Sequence, residues 1–353
     1  MEATKSKTPG RIMRGIVILG AIGISVIASA CSSESSEEDK KEENPPAGAP
    51  TIDQVANDPN IEMPVDATPS PDGKDIYFVA HQKVVLTEQD ENGAPVPLGF
   101  ERQAGVFKVS ASGGPITRLT MGAPLVSPFN ITISDDGNTL FIADSGADTS
   151  EERADGKVFT LPTAGGTPSV LSGTEGLVPG GVEAMGDALY ITGKKDGRPG
   201  VFKTGLGGGN ISAISTDAMF SDPSGVAATR KGDVFVVDSG SATSAQSLAS
   251  VIKITPEGKT EILIDGLSVG HPAGVALSND EQLLLVSGFS NEKGTDVVFT
   301  VNLATSEVGE FTEKIADFTE SAGLHRARNA DVFAWADSHA QKTGTVYAVR
   351  LGQ

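Results

Sequence analysis

Three glycines, Gly225, Gly274 and Gly323, stand 49 residues apart, and each opens the same short pattern. Ser224-Gly225-Val226-Ala227 leads to Gly232-Asp233-Val234-Phe235-Val236-Val237-Asp238, and Ala273-Gly274-Val275-Ala276 leads to Gln282-Leu283-Leu284-Leu285-Val286. Ala322-Gly323-Leu324 leads in turn to Ala330-Asp331-Val332-Phe333. A fixed period of this length means that one supersecondary unit recurs and buries its apolar faces against its neighbours.

The pattern extends backwards to Gly181-Val182-Glu183 with Leu189-Tyr190-Ile191, to Asn130-Ile131-Thr132-Ile133 with Leu140-Phe141-Ile142, and to Asp66-Ala67-Thr68 with Ile76-Tyr77-Phe78. Six second-strand anchors result: Phe78, Phe141, Tyr190, Phe235, Leu284 and Phe333. Each is followed by a third apolar run such as Val251-Ile252-Lys253-Ile254, and most by a fourth such as Thr260-Glu261-Ile262-Leu263-Ile264. Four strands per unit fit a propeller blade. The 42 glycines and the recurring Val, Ile, Thr and Ser runs agree with short strands and tight turns. The expected fold is therefore all-β, a six-bladed β-propeller of four-stranded blades over residues 51–353. The sixth unit stops without a fourth strand, while residues 51–56 precede the first unit without a blade of their own. That segment is expected to pair with residues 344–351 and close the ring, removing two open edges.

Lys5, Lys7, Arg11 and Arg14 precede an uncharged run from Gly15 to Ala30, the order of a secretory signal. At 16 residues the run is shorter than the roughly 20 that span a bilayer, so residues 1–30 read as a cleaved signal peptide. Ala28-Ser29-Ala30-Cys31 resembles the bacterial lipobox, with Ala where its strongest form has Leu, and the resemblance implies lipidation of Cys31. Cys31 is the only cysteine, which excludes an intrachain disulfide and a Cys₂ or Cys₄ metal site. Residues 31–50, acidic and without an aliphatic side chain larger than Ala, form a tether too polar to fold. The implied localisation is the cell envelope, outside the cytoplasm and lipid-anchored to a membrane.

The pattern Pro-x-Gly-Val-Ala followed by Gly-Asp-Val-Phe-Val-Val-Asp resembles the NHL-repeat and gluconolactonase-like six-bladed propellers, across roughly residues 60 to 353. In the lactonases of that superfamily a divalent cation sits above the channel on Glu, Asn and Asp side chains. The resemblance places Asn130 where a ligand Asn would stand. The equivalent positions in the other units, eleven residues before each anchor, are Ala67, Pro179, Ser224, Ala273 and Ala322, a poor set for a hard cation. No cofactor is expected, a divalent metal being the exception to watch for. Asn130 has the alternative role of bonding local backbone.

Two residues further upstream, at the expected channel mouth, the column reads Val65, Pro128, Leu177, Asp222, His271 and Glu320. Asp222, His271 and Glu320 are thus candidate ligand-binding residues, with Asn130 and with long loops at 81–104, 145–155 and 239–249. Asp-Ser pairs ending second strands, at 144–145, 238–239 and 337–338, read as turn-forming bonds. His325 and Trp335 read as core residues. No nucleophile elbow, phosphate loop or metalloprotease helix is present. The chain holds 27 basic against 46 acidic residues, net −19, and the first 50 residues hold only 6 and 7 of these. Such a surface repels phosphate backbones and excludes nucleic acid as a partner. The expectation is a membrane-tethered binding or scaffold module for an envelope protein, peptide or glycan, akin to the propellers of outer-membrane assembly in one variant. The rival is a metal-dependent, lactonase-like hydrolase or a lyase with its site at the channel mouth.

Overall fold

A computed structural model describes residues 50–92, 94–147, 156–240, 248–311 and 321–351. Cys31, the signal segment and the tether lie outside them, as does Glu320. The described chain is all-β apart from one short 3₁₀ turn at Ala340–Lys342. A lone strand, β1 (Thr51–Ala56), comes first. Blade one is β2 (Ile61–Pro69), β3 (Asp75–Gln89), β4 (Pro95–Ser110) and β5 (Thr117–Met121). Blade two is β6 (Pro128–Ile133), β7 (Thr139–Asp144), β8 (Lys157–Pro162) and β9 (Ser169–Val170). Blade three is β10 (Leu177–Met185), β11 (Ala188–Lys195), β12 (Arg198–Gly205) and β13 (Ser212–Ser215). Blade four is β14 (Pro223–Ala228), β15 (Val234–Asp238), β16 (Leu248–Ile254) and β17 (Thr260–Ser268). Blade five is β18 (Val275–Leu277), β19 (Leu283–Ser290), β20 (Thr295–Asn302) and β21 (Val308–Phe311). Blade six is β22 (Ser321–Arg326), β23 (Phe333–Asp337) and β24 (Thr345–Arg350), completed on its outer side by β1.

The ring closes as the sequence implies. β1 runs antiparallel to β24, with Thr51 opposite Arg350 and Ala56 opposite Val346. Asn57 Nδ2 donates to the Gly344 carbonyl at 2.7 Å, and Arg350 meets Asp53 at 2.5 Å. The outer edge of β24 is thereby covered, and β1 takes the outermost place in the blade.

The six anchors are all buried, and their partners explain the repeat. Among the described residues the apolar core divides into clusters that each join two neighbouring blades: Phe78 and Phe107 meet Ala334 and Ala348, while Phe235 and Val251 meet Val275 and Leu284. The innermost strands β2, β6, β10, β14, β18 and β22 neighbour one another in a closed circle about the axis. They crowd there, which fixes the repeated glycine. A methyl group at Gly225 would meet the Ala273 carbonyl, and one at Gly274 the Leu324 backbone nitrogen, each in the next blade.

Candidate functional site

In a propeller, the loops entering innermost strands and those leaving second strands share one face. Here that face carries two features, a projecting arm and a channel mouth, with a buried charge cluster below.

The arm comes from β3 and β4. The sequence predicts a long loop over residues 81–104. The structure instead continues the two strands far past their blade, from Lys83 opposite Arg102 through Val85 opposite Phe100 to Gln89 opposite Pro95. β2 leaves them at Ile61 opposite Gln82 and β5 at Met121 opposite Gly105, so the ribbon beyond is two-stranded. Its root is clamped by Glu62, which meets Lys83 at 2.5 Å and Arg102 at 2.6 Å; these pairings hold its carboxyl below the ordinary range against the opposing effect of burial. Lys83 and Arg102 also lie over the Phe100 ring, at 5.7 and 5.6 Å. Above the root the ribbon is apolar and open: Val85 is 62% exposed, Leu98 61% and Phe100 54%, with Leu86 and Val96 also exposed.

At the mouth, the His271 ring from the loop before β18 meets the Phe129 ring of β6 with centroids 4.9 Å apart and planes tilted by 58°. Blades five and two are opposite in the ring, so this contact spans the mouth. Asp222 pairs instead with Lys194 at 3.3 Å, both side chains partly exposed. Asp222 and His271 therefore share the face but turn to different partners. The Asp222 backbone N–H is held by Asp238, which also accepts from Ser221 and Gly240; Asp144 caps Val126, Ser127 and Gly146 in the same way. The Asp-Ser pairs are turn-formers, as their repetition implies.

Asn130, next to Phe129 in β6, is buried. Its Oδ1 accepts the Val182 N–H at 2.8 Å, and Ser224, in the same column, accepts the Ala273 N–H at 3.3 Å. Both side chains latch one innermost strand to the next.

Below them lies a cluster that sequence reading missed. His325 of β22 meets Asp66 of β2 through Nε2 at 3.0 Å and Glu183 of β10 through Nδ1 at 3.3 Å. Arg328 meets Glu183 at 2.9 Å and Asp135 at 3.0 Å, and donates to the Ala184 carbonyl. Thr132 Oγ1 donates to Glu183 at 3.3 Å, and Asp66 accepts the Ile131 and Ala67 N–H groups at 2.7 and 2.9 Å. Blades six and three are opposite, so the contacts of His325 and Arg328 with Glu183 cross the axis. Gly323 makes room, since a methyl there would strike the Asp66 carboxylate.

Asp66, Glu183, His325 and Arg328 are all buried, and their charges answer one another. Burial disfavours the His325 cation, but Asp66 and Glu183 outweigh it and push the imidazole up to about 10. Burial likewise opposes the Glu183 carboxylate, yet Arg328 and His325 bring it down to about 2. Asp66 is pushed up by burial against the pull of His325 and its two backbone donors. The cluster is a cross-braced axle of paired charges. The signal that could have found it was Asp66, an acid in the buried stretch of an innermost strand.

No protein-family model matches the chain, and no curated protein does so. Among solved structures it is similar to a chain in the crystal structure of a nidogen/laminin complex, at 10% identity and a TM-score of 0.49, covering 78% of this chain and 85% of that one. It is also similar to Kuenenia stuttgartiensis hydrazine synthase, at 14% identity and a TM-score of 0.47, covering 80% and 79%. Similarity at this level says nothing of what the chain binds or catalyses.

Proposed function

We propose that this propeller is a binding module of the cell envelope, held outside the cytoplasm by a lipid on Cys31, and that it docks a partner protein or peptide with its mouth face. One observation carries the reading: a firmly rooted ribbon presents Val85, Leu98 and Phe100 to solvent in one small area. Isolated exposed apolar residues need no explanation, but a projecting cluster of them marks an interaction site. Burying each such side chain contributes about 1.5–3 kcal/mol, enough for a hot spot. Asp222 and His271 flank the mouth on the same face and serve as polar contacts around the apolar centre.

The rival, a metal-dependent hydrolase or lyase, would draw on Asp222, His271, Glu320 or Asn130; Asn130 Oδ1 accepts the Val182 N–H and Asp222 pairs with Lys194, so these two already have partners within the fold.

A photo-crosslinker tests the docking reading in the full chain in its own membrane. Placed at Leu98 it should give a discrete crosslinked product, lost when Val85 and Phe100 are both changed to Ser. Placed at Lys259, on the turn between β16 and β17 at the opposite face, it should give none. Equal products from both sites would refute arm-directed docking.

A further inference from the structure

The two edges of the ribbon differ in kind. The Lys83 N–H donates outward to the Asn60 carbonyl at 2.9 Å, so Val85, Thr87 and Gln89, in alternation with it, also turn their backbone groups outward. On the facing strand the outward positions are Arg102, Phe100, Pro97 and Pro95. Two of these are prolines, without an N–H to offer, so the β4 edge is blunted where the ribbon leaves the blade. The β3 edge has no such protection, and no strand among the described residues pairs with it beyond Gln82.

Building on the docking reading above, we infer that the partner binds as an extended strand added antiparallel or parallel to the outer edge of β3 at Val85, Thr87 and Gln89. The occupant is a segment of another protein, apolar at alternate positions and carrying Lys or Arg. The charge follows from the face that β3 shares with Leu86 and Val96, where Glu88 and Glu101 frame the apolar pair and meet no cation among the described residues. The net charge of −19 steers the same kind of partner. A bilayer does not fit, because Glu88, Asp90 and Glu91 stand beyond the apolar band and would have to enter it first. Strand addition draws affinity from main-chain hydrogen bonds and specificity from alternate side chains.

The test uses a random dodecapeptide display library panned on the full-length chain. Sequences alternating apolar residues and bearing Lys or Arg should be enriched. A synthetic copy of the strongest should bind wild type and Pro97→Thr alike, and Thr87→Pro about tenfold or more weakly. Proline at 87 removes one outward N–H and leaves the ladder to β4 intact, as Pro97 opposite it already does; an unchanged unfolding midpoint checks this. Glu88→Lys should weaken the same peptide without touching the edge. Equal binding to Thr87→Pro, with binding lost in the Val85→Ser, Phe100→Ser variant, would overturn edge pairing while leaving arm docking intact. Failure to enrich any sequence over the Val85→Ser, Phe100→Ser variant would overturn the inference. So would a concentration-dependent dimer abolished by Thr87→Pro, which would make the occupant a second copy of this chain.

Discussion

His325 is held between two carboxylates that belong to different blades, so one proton ties the stability of the ring to pH. Its pKa is raised from 6.5 to about 10 on folding, so the stabilisation is full below 6.5 and disappears as pH rises through about 10. Glu183 works in the other direction, lowered from 4.5 to about 2; its contribution is full above 4.5 and disappears as pH falls through about 2. Both contributions are present together between those ordinary values, and wild type should lose stability in urea titrations from pH 6.5 to 9.5. His325→Gln should be less stable at pH 6 by about 3–5 kcal/mol, as when one partner of a buried ion pair is removed, and should lack the alkaline slope. Parallel slopes for the two proteins would show that His325 does not carry the proton. Gly323→Ala, which drives a methyl into Asp66, should cost about 1–3 kcal/mol in the same measurement. At this scale the sequence was only partly legible. His325 was read as a satisfied core residue, which it is, but its partners lie 259 and 142 residues away. Spacing along the chain cannot show which side chains meet across an axis.

The strands were legible where period and burial agree. All six anchors and the closing strand lie where the repeat puts them, because a strand buried on both faces reads as a continuous apolar run. The arm was not legible, since a ribbon exposed on both faces has no apolar alternation, and Gly99, Pro95 and Pro97 read as loop chemistry. Its independence from the core has a measurable consequence. Changing Val85, Leu98 and Phe100 to Ser should leave the thermal midpoint within about 2 °C of wild type, as for surface changes that move stability by no more than ~0.5 kcal/mol. A large drop would show that the ribbon is part of the fold. Removing residues 51–56 should do the opposite, lowering the midpoint and producing aggregates through the bared β24 edge, visible in light scattering.

For the whole molecule, architecture followed from one repeat, whereas activity did not, since loops and edges rather than blades carry it. The anchor is a separate question with its own measurement. Radiolabelled palmitate should enter the wild-type chain and not Cys31→Ser, and label in both would place the lipid elsewhere. The joint between β1 and β24 also has a bearing on how the molecule is made. Asp53 and Arg350, which meet there, are 297 residues apart in the chain. Of the described strands, β1 is therefore made first and pairs with β24, the one made last, and contacts this distant are slow to form. Until then every intermediate has two raw ends, so a chain broken off early is an open horseshoe that proteases and chaperones can tell from a finished ring.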